Sequence, residues 1–175
     1  MSDNNTHQNQ ALATAKKNRW DMAGKEITFS TGVKGRLTPV SSSAIIEAQS
    51  GLVDPQVPMV KIDGKDGEFE NPNDPTYLAA KNAVFQQRLQ AGIDTMIILG
   101  VELVDGVPAE ETWLPKLKFL EKRGRISLAG YDLEDAMDKE FLYKKFIAMS
   151  SDDWLLLNEI SGITPADLET AQKLF

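Results

Sequence analysis

The chain has 175 residues, 42% of them apolar and 26% charged, and a formal net charge of −7, the profile of an ordinary globular protein with one sizeable core. It has no cysteine and a single histidine, His7, which excludes disulfide scaffolds, thiolate metal sites and cysteine nucleophiles and disfavours a histidine-based zinc site or a Ser-His-Asp triad. The excess of acid makes nucleic acid a poor partner.

Residues 1–24 are polar, rich first in Asn and Gln and then reading Ala-Thr-Ala-Lys-Lys. Such a stretch buries too little to offset the entropy of ordering it, so a flexible N-terminal tail is expected, with Trp20 and Met22 as its docking residues. It lacks the basic start and apolar run of a secretory signal. From Glu26 the apolar residues alternate (Ile27, Phe29, then Val33, Leu37) around Thr31-Gly32, which predicts two short strands and a turn. Ser41-Ser42-Ser43 offers caps for a short helix over 44–48. Pro55 and Pro58 frame an extended stretch into Met59-Val60-Lys61-Ile62, the turn Asp63–Gly67 follows, and Phe69 lies on a return strand.

Asp74 and Pro75 form an N-cap and first-turn proline, and a long helix is expected over 76–99 through Leu78, Phe85, Leu89, Ile93 and Met96-Ile97. Gly92 sits awkwardly within it. A loop over 104–109 leads to a helix from Thr112-Trp113-Leu114-Pro115 to about Leu120, then a linker between Gly124 and Gly130. Asp132 is placed to cap a helix carrying Leu133, Met137, Phe141 and Phe146, Ser151 to cap one through Ile160, and Thr164-Pro165 to start a last helix with Leu168, Leu174 and Phe175. The expected fold is α+β: a small N-terminal antiparallel sheet followed by a mostly helical C-terminal bundle. It makes one domain over 25–175, β-rich over 26–70 and helical over 75–175. The longest apolar runs, Met96–Leu99 and Trp154–Leu157, fall far short of the roughly 20 residues of a membrane span, so a cytosolic protein is expected.

No constellation calls for catalysis. Asp63, Asp66, Glu68, Glu70 and Asp74 lack the spacing of a calcium loop and read as a solvated turn and a cap. Glu110-Glu111, Asp152-Asp153 and the group Asp132, Glu134, Asp135, Asp138 read as carboxylates at helix starts, favoured by the dipole. Thr31–Arg36 is a hairpin turn and not a phosphate loop. No cofactor, metal or catalytic residue is expected. Charge is instead segmented: residues 51–112 carry eleven acidic groups against four basic, 113–131 five basic against one acidic, and 132–175 ten acidic against four basic. A bipolar surface of this kind suits protein partners better than a polyanion. The candidate partner surface is the segment Trp113, Leu117, Lys118, Lys122, Arg123 and Arg125, together with Leu168 and Phe175 of the last helix. Spacing also places Trp113, Leu117 and Leu120 on a core-facing stripe. Self-association is left open.

The segments Pro55-Gln56-Val57-Pro58, Glu70-Asn71-Pro72-Asn73-Asp74-Pro75-Thr76-Tyr77-Leu78 and Gly100-Val101-Glu102-Leu103, then Pro108, Trp113-Leu114, Glu140–Tyr143 and Ile160–Thr164, resemble a group of tailed-phage tail assembly chaperones and small tail-gene products. The resemblance covers residues 33–175. It implies a non-enzymatic role in the cytoplasm of an infected bacterium: binding the long tape measure protein, and tail tube protein, until the tube polymerises. It also implies that a longer frameshifted form can exist. Two other functions compete, a structural virion component of the tail and a small acidic regulator that binds a host protein.

Overall fold

The computed structural model describes residues 23–161. The N-terminal tail, with His7, Trp20 and Met22, and the helix expected after Thr164 lie outside them. The fold is α+β: two antiparallel sheets, of three and two strands, draw all but one strand from residues before 71, and helices dominate the rest. The described chain forms two compact units, one of residues 23–42 with 96–161, the other Ser43–Thr95.

In the first unit the expected alternation gives β1 (Glu26–Thr28) and β2 (Lys34–Leu37). Phe29 N–H donates to the Val33 carbonyl and Gly32 N–H to the Phe29 carbonyl, each at 2.8 Å. Gly32, at φ +89°, takes the left-handed position that closes this three-residue hairpin loop. The third strand, β5 (Val101–Leu103), was not expected from the sequence, where the helical period runs up to Leu99. It pairs antiparallel with β2, Gly35 opposite Leu103 and Leu37 opposite Val101, and these four buried positions form the inner face of the sheet. A Cβ at Gly35 would lie 2.5 Å from the Phe29 ring and 3.1 Å from the Glu102 carbonyl oxygen. Because Phe29 is itself buried in the core, its ring has nowhere to move. Gly35→Ala is therefore expected to destabilise the fold by about 1–3 kcal/mol, the cost of overpacking, read as a lower urea midpoint at unchanged slope.

The second unit holds α1 (Ser42–Gln49) from Ser43 onward, β3 (Met59–Lys61), β4 (Glu68–Glu70) and most of α2 (Pro75–Gly100), whose residues from Met96 belong to the first unit. Asp74 caps α2 as expected, its Oδ1 accepting from the N–H groups of Thr76 (2.9 Å) and Tyr77 (3.1 Å). Gly92 is explained by close approach: a Cβ there would sit 2.9 Å from Gln49 Nε2 and 3.4 Å from Ile45 Cγ2 of α1. Arg88 ties the loop after α1 to α2, donating to the Leu52 carbonyl and pairing with Asp54 at 2.9 Å. Ile45 is the one large apolar side chain of this unit that is fully buried among the described residues, whereas Ile46, Val53, Met59, Val60, Ile62, Phe69, Leu78 and Phe85 are exposed.

The remaining helices belong to the first unit: α3 (Leu114–Lys122), α4 (Ala136–Tyr143) and α5 (Ser151–Ser161). Two expected starts shift. The cap of α4 is Asp135, not Asp132: Asp135 Oδ1 accepts from Met137 N–H (2.8 Å) and Asp138 N–H (3.0 Å), while Asp132 turns the preceding loop through Glu134 N–H. The cap of α5 is Ser150 rather than Ser151. Its Oγ accepts from Asp152 N–H at 3.3 Å and its own N–H donates to Asp153 Oδ2 at 2.8 Å, the reciprocal pattern of a capping box. The helix expected to continue through Phe146 and Ile147 passes into a π-helical turn, Lys144–Ala148.

Candidate partner-binding surface

α3 follows a 3₁₀ turn, Glu110–Thr112, and carries Pro115 in its first turn, where a missing N–H costs nothing. Trp113 anchors it. Its indole is 2% exposed, Nε1–H donates to the Pro108 carbonyl at 3.2 Å, and the ring meets Tyr143 edge-on with centroids 5.5 Å apart. Leu114 and Leu117 are buried with it. Trp113 and Leu117 were expected at the partner surface; the structure corrects this, because their spacing of four puts them on the face turned to the core. They position the helix from its core side. Burial also pushes the Tyr143 phenol above its ordinary pKa of 10.0.

The opposite face carries what the spacing argument missed. Phe119 is 56% exposed and Leu120, read from spacing as a core position, is exposed too. With Pro115 and Lys116 they line a shallow hollow of about 410 Å³. α3 closes in a Schellman motif: Gly124, at φ +64°, donates to the Glu121 carbonyl (2.7 Å) and Arg125 N–H to the Leu120 carbonyl (3.0 Å). This turn sets Lys122, Arg123 and Arg125 around the end of the helix, where the dipole favours cations. Lys116, Lys118, Lys122, Arg123 and Arg125 are all exposed, and none forms an ion pair with a described residue. Arg123 instead lies 5.2 Å over the Phe119 ring. The expected basic residues Lys118, Lys122, Arg123 and Arg125 therefore do share a surface with exposed apolar side chains; Leu168 and Phe175 lie outside the described residues.

The carboxylates fall into local roles. Asp138 Oδ2 accepts from Asp132 N–H at 2.6 Å and Asp135 caps α4. Asp153 has a further role with no sequence signal. It is 7% exposed and accepts from Ser30 N–H (3.0 Å), Ser30 Oγ–H (2.8 Å), Ser150 N–H (2.8 Å) and Ser150 Oγ–H (3.1 Å). Thr31 Oγ1–H donates to the Ala148 carbonyl beside it. The tip of the β1–β2 hairpin is thus tied to the start of α5. Burial raises the Asp153 pKa, but these four donors outweigh it and hold the carboxyl below its ordinary 3.8. Among the described residues no group of three or more His, Asp or Glu is placed to hold a metal ion, and no helix is long and apolar enough to cross a membrane. Comparison with known protein families, with characterised proteins and with solved structures finds no match to this chain.

Proposed function

We propose that this chain is a non-enzymatic tail assembly chaperone of a tailed phage. It acts in the cytoplasm of the infected bacterium and binds the tape measure and tail tube proteins during tail morphogenesis. The motif resemblance over residues 33–175 supports the tail-gene assignment. One observation carries the binding surface: an exposed apolar pair, Phe119 and Leu120, beside a shallow hollow and ringed by five cations without ion-pair partners among the described residues. An apolar centre with a charged rim is the anatomy of a protein interface. A long helical partner would lay an apolar stripe on Phe119 and Leu120 while its acidic flank meets Lys118, Lys122 and Arg123. The net charge of −7 would keep the complex soluble once the stripe is covered.

Phe119→Asp combined with Leu120→Asp tests this surface. Purified tape measure protein is diluted into buffer with wild-type or variant chain, and aggregation is followed by light scattering. The wild type is expected to suppress aggregation. The variant, with its far-UV circular dichroism unchanged because both positions are exposed, is expected to need about tenfold more protein, a loss of about 1.4 kcal/mol or more for a central contact. Equal suppression by both proteins would remove α3 as the binding surface.

A further inference from the structure

We infer that residues 43–95 form a separately opening module, which unfolds and refolds while the first unit stays folded. The two units differ in core. The first buries Phe29, Leu37, Ile97, Trp113, Leu142 and Leu157, among others. In residues 43–95 only Ile45 and Gly92 are buried. Large apolar side chains of α1, of the hairpin strands and of the first half of α2 are exposed, Ile46, Val60, Phe69 and Leu78 among them. Apolar burial is the main term that offsets the entropy of ordering a chain, so the module has little to set against its own unfolding. Helical stability in a protein comes mostly from packing one face of the helix, and no residue of α2 before Gly92 is buried. The ties of this stretch close within the module: Gln49 Nε2–H donates to the Arg88 carbonyl at 3.1 Å, and Arg88 donates to the Leu52 carbonyl and pairs with Asp54.

The first unit closes without the module. The chain leaves it after Ser42 and returns at Met96. Beside those two points Leu37 pairs with Val101, and Thr38 N–H donates to the Gly100 carbonyl at 2.9 Å. Gly100 is packed tightly on the same unit: a Cβ there would lie 2.8 Å from Val40 Cγ2 and 3.0 Å from Leu157 Cδ1. Met96 and Ile97, the start of the last turn of α2, are in the core. Both exits are therefore held by the sheet and core of the first unit, and α2 can lose its turns before residue 96 and keep the last one. Opening the module turns residues 43–95 into a loop between two paired strands, and the cost of closing a loop grows only slowly with its length. The result is a cooperative unit of low stability inserted into one of high stability. The inference goes beyond the proposed function and uses no residue of α3. It is tested on the purified chain alone, so either reading can fail without the other.

Native-state hydrogen exchange of the full-length chain, read by mass spectrometry over a series of low urea concentrations, tests it. Amides of α1 and of α2 up to residue 91 are expected to be protected about a hundredfold less than those of β2, β5, α4 and α5. They should respond to urea with one shared slope, smaller than that of the first unit, because one cooperative opening exposes the surface of the module alone. Arg88→Ala removes a tie inside the module at a half-buried position, and it should lower protection in α1 and α2 by the same factor while β2 and β5 keep theirs. Ile45→Ala removes the module's one buried large side chain. Even where that change leaves residues 43–95 fully open, the amides of β2, β5, α4 and α5 should keep their protection. Equal protection in the two units would overturn the inference. So would separate urea slopes for α1 and α2, or a loss of protection in β2 and β5 that accompanies either substitution.

Discussion

Trp113→Ala is expected to lower the unfolding free energy by about 3–5 kcal/mol, the range for removing a buried large aromatic. Against a typical total of about 5–15 kcal/mol, that is a large share. The physical losses are specific. The indole is in the core, its edge-on contact with Tyr143 is 5.5 Å between centroids, and its N–H is bonded to the Pro108 carbonyl. Urea unfolding measures the effect. Trp113→Phe separates its parts, because most of the packing survives while the Pro108 carbonyl loses its donor, for a further cost of about 1 kcal/mol. The comparison with the surface variant is also informative. Trp113→Ala should weaken partner binding together with stability, because α3 loses its anchor. Phe119→Asp with Leu120→Asp should weaken binding and leave stability nearly unchanged, since neither side chain is in the core.

Asp153→Ala carries the second large effect, about 2–4 kcal/mol. Two backbone N–H groups and two hydroxyls of Ser30 and Ser150 lose their acceptor at once, which combines the loss of a capping-box carboxylate with unmade hydrogen bonds in a water-poor site. Asp153→Asn should fall between, since it keeps one acceptor oxygen but turns a donor toward donors. The pH dependence has a definite sign. Burial raises this carboxyl and the hydrogen bonds lower it further than burial raises it, so its folded pKa lies below 3.8. A carboxylate held low contributes stability that is fully present above its unfolded value. That stability is lost as pH falls through the folded value. The gap in melting temperature between wild type and Asp153→Ala should therefore be constant near neutral pH and narrow only below about pH 4. A gap that closed between pH 5 and 7 would assign the effect to another group.

What could be read from the sequence was local chemistry. Asp74-Pro75 start α2 as cap and first-turn proline because both signals act within three residues of the helix end. The two hairpins follow from alternation around glycine-containing turns. The basic run after Trp113 was legible as a surface because a Schellman turn at Gly124 sets it around the end of α3. What escaped was set by distant partners. β5 has one alternation in three residues, and only pairing with β2, more than 60 residues earlier, makes it a strand. The start of α4 was misplaced because Asp132 and Asp135 are equally good caps by type, and it is Asp135 whose side chain accepts from the first-turn N–H groups. Leu120 and Leu117 were grouped because a nine-residue helix gives too few turns to locate the edge of its apolar stripe. Asp153 was read as a helix-start carboxylate, which it is. Its tie to Ser30 spans 123 residues of sequence and leaves no local trace.

The most direct measurement is a pull-down of the tagged full-length chain from phage-infected cells, with bound proteins identified by mass spectrometry and purified particles assayed in parallel. Binding of the tape measure or tail tube protein by the wild type, its loss in the Phe119→Asp, Leu120→Asp variant, and absence of the chain from mature particles are the results expected of a tail assembly chaperone acting through α3. Retention of the chain in particles would make it a virion component instead, and recovery of a host protein alone, with no tail protein, would contradict the tail-assembly function.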